Sequence, residues 1–180
     1  MRYAPSLSGD LDNMRRQLVL GADAGVDTVL IAPMIVGLAN FHRLVRENPK
    51  VAFIAHPAMA GAARIVPQCL LGKLFRILGA DAVVFPNHGG RFGYSAETCR
   101  ALAQAALAEY HGLRPCVPVP AGGMTTARVS EMLEFYGANV MLLIGGSLLE
   151  AREQLTAATA AFVAEVQRYR YPLSHDRVPR

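Results

Sequence analysis

A chain of 180 residues, 52% hydrophobic and 18% charged, has the length of one domain and enough apolar side chain for a sizeable core, which excludes a disordered or collagen-like polypeptide. Eighteen Lys and Arg against 14 Asp and Glu leave a net charge of +4. Four of the arginines (Arg168, Arg170, Arg177, Arg180) crowd the C-terminal stretch, so the excess is largely a tail property and no argument for a nucleic-acid partner.

In chain order, short β-branched apolar runs alternate with longer helical patterns. The predicted strands are Thr28–Ala32, Val51–Ala55, Ala82–Phe85, Cys116–Val119 and Val140–Ile144, each a near-continuous hydrophobic run of the kind buried on both faces of a parallel sheet. Tyr3–Leu7 is a candidate stub of one more. The predicted helices are Asp10–Ala24, with Leu11, Met14 and Leu18 at helical spacing, then Gly37–Glu47, Val66–Leu78, Ser95–Tyr110, Thr125–Tyr136 and Ser147–Arg168. Asp10 and Ser95 are candidate N-caps. Strand and helix repeat about every 30 residues, the pattern of an α/β fold with right-handed crossovers. Counting units favours an open doubly wound sheet, because a closed (β/α)8 barrel needs eight strands and about 250 residues. Residues 169–180 are polar and read as a tail beyond a domain spanning 1–168.

Cys69, Cys99 and Cys116 are odd in number and far apart, which points to free thiols in a reducing cytoplasm rather than a zinc site or disulfide framework. The N-terminal stretch has no apolar signal-peptide core, and no apolar run reaches the length of a membrane span. The absence of tryptophan and 7% aromatics argue against a base-stacking surface.

Three stretches carry chemistry. The first is a pair of glycine corners, Ala121-Gly122-Gly123 and Gly145-Gly146, each where a predicted strand meets a helix. Glycine there lets backbone N–H groups approach an anion, and successive corners late in an α/β chain are a recurring phosphate site. The alternative is that they only make tight turns. The second is His56, at the C-terminal end of a buried strand, where an imidazole can move a proton or hold a substrate oxygen; the alternative is a structural histidine. The third is the loop Asn87-His88-Gly89-Gly90-Arg91-Phe92-Gly93, rich enough in glycine to close over a ligand and bring Arg91 to an anion; the alternative is an ordinary connection with a solvated arginine. No P-loop, HExxH or GxSxG motif is present, and no pair of acids that could hold Mg2+ stands at a strand end.

The stretches YAPSLSGDLDNMRRQ, FIAHPAMAGAARI, LLGKLFRILGADAVVFPNHGGRFGYS and VPVPAGGMTTARVSEMLEFYGANVMLLIGGSLL, in that order over most of residues 3–150, resemble the C-terminal barrel of the RuBisCO large chain, and more closely its RuBisCO-like relatives. The resemblance implies a partial (β/α)8 TIM barrel of parallel strands with crossover helices, covering about the third to the eighth strand. It implies catalytic roles for His56, His88 and Arg91, the last where carboxylases carry a loop lysine. It implies a phosphate seat at Ala121, Gly122, Gly123, Gly145 and Gly146, with Asn87 on the substrate. Pro57 and Ala60 replace an arginine and a histidine that help hold a second phosphate in carboxylases. A monophosphate with an apolar far end therefore fits better than a bisphosphate.

The expected reaction is Mg2+-dependent enolisation or isomerisation of a pentulose monophosphate in methionine salvage, such as 5-methylthioribulose 1-phosphate or a diketo-methylthiopentyl phosphate. Alternatives are a non-catalytic phosphate-binding remnant and carboxylase-type activity. The family's Mg2+ ligands are expected in a segment before residue 1, so the chain reads as an N-terminally truncated fragment with little activity of its own. The full-length family suggests a homodimer in the cytoplasm, with no nucleic-acid or membrane partner.

Overall fold

In the computed structural model, residues 3–90 and 93–171 are described. Helix α1 (Leu11–Asp23) starts where Asp10 accepts from the Asn13 N–H at 2.7 Å, and it buries Met14 and Leu18. Strand β1 (Thr28–Ile31) follows, then α2 (Pro33–Val36) and α3 (Leu38–Glu47), whose Phe41 and Leu44 are fully buried. Strand β2 (Ala52–Ala55) sets Phe53 edge-on to Phe41, centroids 6.2 Å apart. Strand β3 (Ala82–Pro86) and strand β4 (Val117–Ala121) complete a parallel sheet of order β1-β2-β3-β4. Each strand is joined to the next through helical segments, as the α/β reading requires.

The expected helix over Val66–Leu78 is present but not uniform. It runs as α4 (Pro67–Cys69), a π-helical stretch over Leu70–Leu74, and α5 (Phe75–Ile77). It lies close against α6 (Ala96–Leu107): a Cβ added at Gly72 would stand 2.8 Å from that of Ala105. Buried Arg76 on α5 donates to the carbonyls of Ala108 and Arg114, at 2.6 and 2.7 Å, and to that of Leu113. It thereby satisfies the carbonyls just past α6. Ser95 caps α6, accepting from Thr98 N–H at 3.1 Å.

Two expectations are corrected. Val140–Ile144 forms no strand; one bond, Met141 N–H to Pro118 carbonyl at 3.1 Å, ties it to β4. The reason lies in β4 itself. Val117 and Ala121 turn their hydrogen-bonding groups toward β3 and the chain that follows it, bonding Asp81 and Asn87. Pro118 and Pro120 face the other way and have no N–H to donate, so that edge cannot sustain a ladder. The expected single helix Ser147–Arg168 is broken into α8 (Gly146–Leu149) and α9 (Leu155–Arg168), with Arg152 at φ +45° between them. Helix α7 (Val129–Tyr136) precedes them and packs with α9 in a small second cluster around Met132 and Phe162. The stub at Tyr3–Leu7 makes one parallel bridge, Ser6 to Leu30.

Candidate active site

A cavity of about 560 Å³ opens at the C-terminal ends of β2, β3 and β4. His56 enters it directly after β2, Val84 to Pro86 form its floor, Ala121 and Gly122 its far side, and Gly93 and Tyr94 its rim. The wall is otherwise apolar, with Pro57, Ala58 and Ala60. His56 and the first glycine corner thus share one space.

The His56 N–H is bonded to the Ile31 carbonyl at 2.7 Å, which fixes the backbone. Its Nδ1 accepts from the Ala58 N–H at 3.1 Å. A nitrogen that accepts carries no proton, so in the neutral ring the proton sits on Nε2. Burial pushes the pKa of His56 down from its ordinary value. Charging the ring at Nδ1 would also break the bond to Ala58. At neutral pH the His56 ring is therefore neutral, with its Nε2–H free to donate.

Gly122 (φ +94°) and Gly123 (φ +68°) adopt the left-handed backbone that side chains resist. Their N–H groups donate to no acceptor among the described residues, which leaves them for an anion. The corner lies directly against the loop after β3. A Cβ at Gly90 would stand 2.8 Å from the Gly122 carbonyl oxygen, and one at Gly123 3.0 Å from Gly90 Cα. Arg128, at the start of α7, links the two: its Nη1 donates to the Gly123 carbonyl at 3.2 Å and its Nη2 to the His88 carbonyl at 3.4 Å. Nε and Nη2 also form a fork on Glu131, at 3.0 and 2.9 Å. That fork holds the Glu131 carboxyl below its usual range.

The other expected site residues go elsewhere. Asn87 is 1% exposed and its side chain is fully engaged: Tyr136 Oη donates to Oδ1 at 2.6 Å, and Nδ2 meets Met132 Sδ at 3.0 Å. It anchors the loop rather than facing the cavity. His88 packs against Phe135 with the rings tilted at 50° and centroids 4.5 Å apart, and its buried Nε2 has no partner among the described residues. His88 does not line the His56 cavity. Gly145 and Gly146 are exposed and do not line the His56 cavity, but the Ser147 hydroxyl donates to the Met124 carbonyl at 2.8 Å and holds their corner beside the first. Arg91 lies outside the described residues. Arg128, Ser147 and Tyr94 escaped the sequence reading, although the Arg-x-x-Glu spacing of 128 and 131 on one helix face is a detectable ion-pair signal.

Mg2+ wants oxygen ligands, chiefly carboxylates. No Asp or Glu lines the cavity, and among the described residues no group of three His, Cys, Asp or Glu is placed to hold a metal. These residues do not fit Mg2+. No helix of the described residues is long and apolar enough to cross a membrane.

No protein-family model matches the chain. It is 62% identical over 165 residues to the 5-methylthioribulose-1-phosphate isomerase of Rhodospirillum rubrum, covering 92% of this chain and 44% of that protein. A crystal structure of a Rubisco-like protein from Rhodopseudomonas palustris superposes with a TM-score of 0.87 at 52% identity, over 96% of this chain and 46% of that one. The chain belongs to the RuBisCO superfamily. A 2,3-diketo-5-methylthiopentyl-1-phosphate enolase of Geobacillus thermodenitrificans is 29% identical over 153 residues, 81% of this chain and 37% of the enolase. The chain thus spans less than half the length of the relatives it matches. Within this RuBisCO-like barrel, Pro57 and Ala60 both face the cavity, so the wall that the resemblance makes cationic in carboxylases is apolar here.

Proposed function

We propose that this barrel segment belongs to a methionine-salvage enzyme that isomerises 5-methylthioribulose 1-phosphate. The observation that carries the reading is the single cavity shared by His56 and the Gly122 corner, with an apolar wall between them. The phosphate rests on the N–H groups of Gly122 and Gly123, and Arg128 keeps that corner in shape. The Nε2–H of His56 donates to the substrate carbonyl and stabilises the enolate oxygen when the adjacent C–H loses its proton. The methylthio end lies against Pro57, Ala58 and Ala60, and a second phosphate would find no cation there. The relationship to the isomerase, more than twice as close in identity as that to the enolase, favours isomerisation of a ketose phosphate over enolisation of a diketone.

In this reading the carbon base and the Mg2+ ligands are residues outside the cavity described, Arg91 closes over the substrate, and the enzyme works as a homodimer in the cytoplasm. The 180-residue chain by itself is then expected to bind substrate without turning it over. The test is a titration with 5-methylthioribulose 1-phosphate followed by amide NMR. Shifts at Gly122, Gly123 and His56, lost in Gly123→Val, support the reading. Absence of shifts at the corner would overturn it; efficient isomerisation by the isolated chain would uphold the isomerase reading and overturn only the placement of the carbon base and metal ligands outside this cavity.

A further inference from the structure

Behind Tyr94 lies a second cavity of about 240 Å³. Ala60, Gly61 and Tyr94 line both it and the His56 cavity, so the two spaces meet along one shared wall. Ala63, Ile65 and Leu71 complete its lining, Ile65 from an exposed position, and no charged residue lines it among the described residues. The segment that builds this wall is irregular: Met59 takes a left-handed backbone (φ +63°) and leads into a short 3-10 turn over Ala60–Ala62. The turn presents small residues to both cavities, and at exposed Gly61 a Cβ would meet nothing within 4 Å. Among the described residues that line both cavities, Tyr94 is the only bulky side chain.

We propose that Tyr94 is a specificity-determining residue, and that the cavity behind it receives the apolar tail of a phosphate monoester bound at the glycine corner. The proposal rests on the phosphate seat of the preceding section and goes beyond it in the tail it admits. A second phosphate would lose its hydration there against a lining with no cation among the described residues, and a sugar hydroxyl would find the Tyr94 hydroxyl as its one side-chain partner, so both are disfavoured. A linear apolar tail longer than methylthio is accepted, because the side cavity continues past the wall that a methylthio group would reach. Each methylene that enters adds about 0.8 kcal/mol of burial, or about fourfold in affinity.

The test uses the whole 180-residue chain with inorganic phosphate and n-alkyl monophosphates from ethyl to hexyl, titrated by amide NMR. Affinity is expected to rise about fourfold per methylene until the cavity is full, with shifts spreading from Gly122 to Ala63 and Ile65. Ile65→Trp, which fills the side cavity from its partly exposed edge, should flatten the chain-length series and leave inorganic phosphate binding unchanged. Ala63→Leu, made independently, should do the same. A flat series in the unsubstituted protein, or a graded series that neither variant alters, overturns the proposal. Phosphate affinity is read separately: a graded series with no response to inorganic phosphate would sink the phosphate seat and leave the tail cavity standing.

Discussion

The Ser147 hydroxyl donates to the Met124 carbonyl across 2.8 Å, and this bond joins two glycine corners that stand more than twenty residues apart in the chain. Met124 is 4% exposed and follows Gly123 directly. Any ligand held by both corners depends on this tie, because the segment before Gly145 has only one bond to the β4 edge. Ser147→Ala is expected to cost about 1 kcal/mol in urea unfolding and to broaden the Gly145 and Gly146 amide signals. A variant with unchanged stability and spectra would show that the corners are held some other way.

Arg128 binds two loops and a carboxylate at once while only 21% exposed. Removing it leaves two carbonyls and Glu131 without their donor. Arg128→Gln should lower stability by about 1–3 kcal/mol and weaken inorganic phosphate binding at the Gly122 corner severalfold. Arg128→Lys should recover little, since one ammonium cannot reproduce the fork. Full recovery by lysine would argue that charge alone matters there.

Glycine substitutions separate close approach from open space. Gly90→Ala sets a methyl 2.8 Å from the Gly122 carbonyl oxygen, a backbone atom that cannot step aside. A loss of about 1–3 kcal/mol is expected. Gly146→Ala meets nothing within 4 Å at the start of α8 and should change stability by no more than about 0.5 kcal/mol. Equal thermal shifts in the two variants would contradict the packing of loop on corner.

The three thiols should titrate apart. Cys69 is exposed; burial raises the pKa of Cys99 and pushes that of Cys116 up to about 12. With an aromatic disulfide reagent at pH 8, one thiol per chain should react at once and two only after denaturant is added. Three fast thiols in the native protein would refute the burial of Cys99 and Cys116.

Acid should weaken the fold through His56. Its folded pKa lies below the ordinary value of 6.5, because burial disfavours the charged ring. Between those two values the unfolded chain binds more protons than the folded one. The contribution of His56 is therefore complete above about pH 6.5 and is lost as pH falls through the lower, folded pKa. The urea midpoint, followed from pH 7.5 to 5, should decline less in His56→Asn than in the parent; parallel curves would remove His56 from the account. Glu47, held down at about 2 by Arg15 and Arg43, and Glu131 titrate below this window.

Hydrophobic runs were enough to place β1 to β4 and the helices between them, because strands buried on both faces leave an unbroken apolar signature. Asp10 and Ser95 were legible as caps for an equally local reason: each bonds an amide three residues away. His56 and the glycine corners were legible from their places at strand ends, and the resemblance added the roles expected of them. The failure at Val140–Ile144 was written in the chain too, in Pro118 and Pro120, but its meaning depends on which way each proline faces across the sheet.

What the sequence by itself determined is the set of short-range facts: where apolar runs lie, where helices start, where glycine permits a turn. Only the tertiary structure decided which loop side chains reach the cavity. Asn87 and His88 stand next to each other at the end of β3, yet Tyr136, Met132 and Phe135, more than forty residues later, hold one by hydrogen bonds and the other by ring packing. A loop side chain has no periodicity to declare its direction, so its orientation follows from partners that only folding brings near.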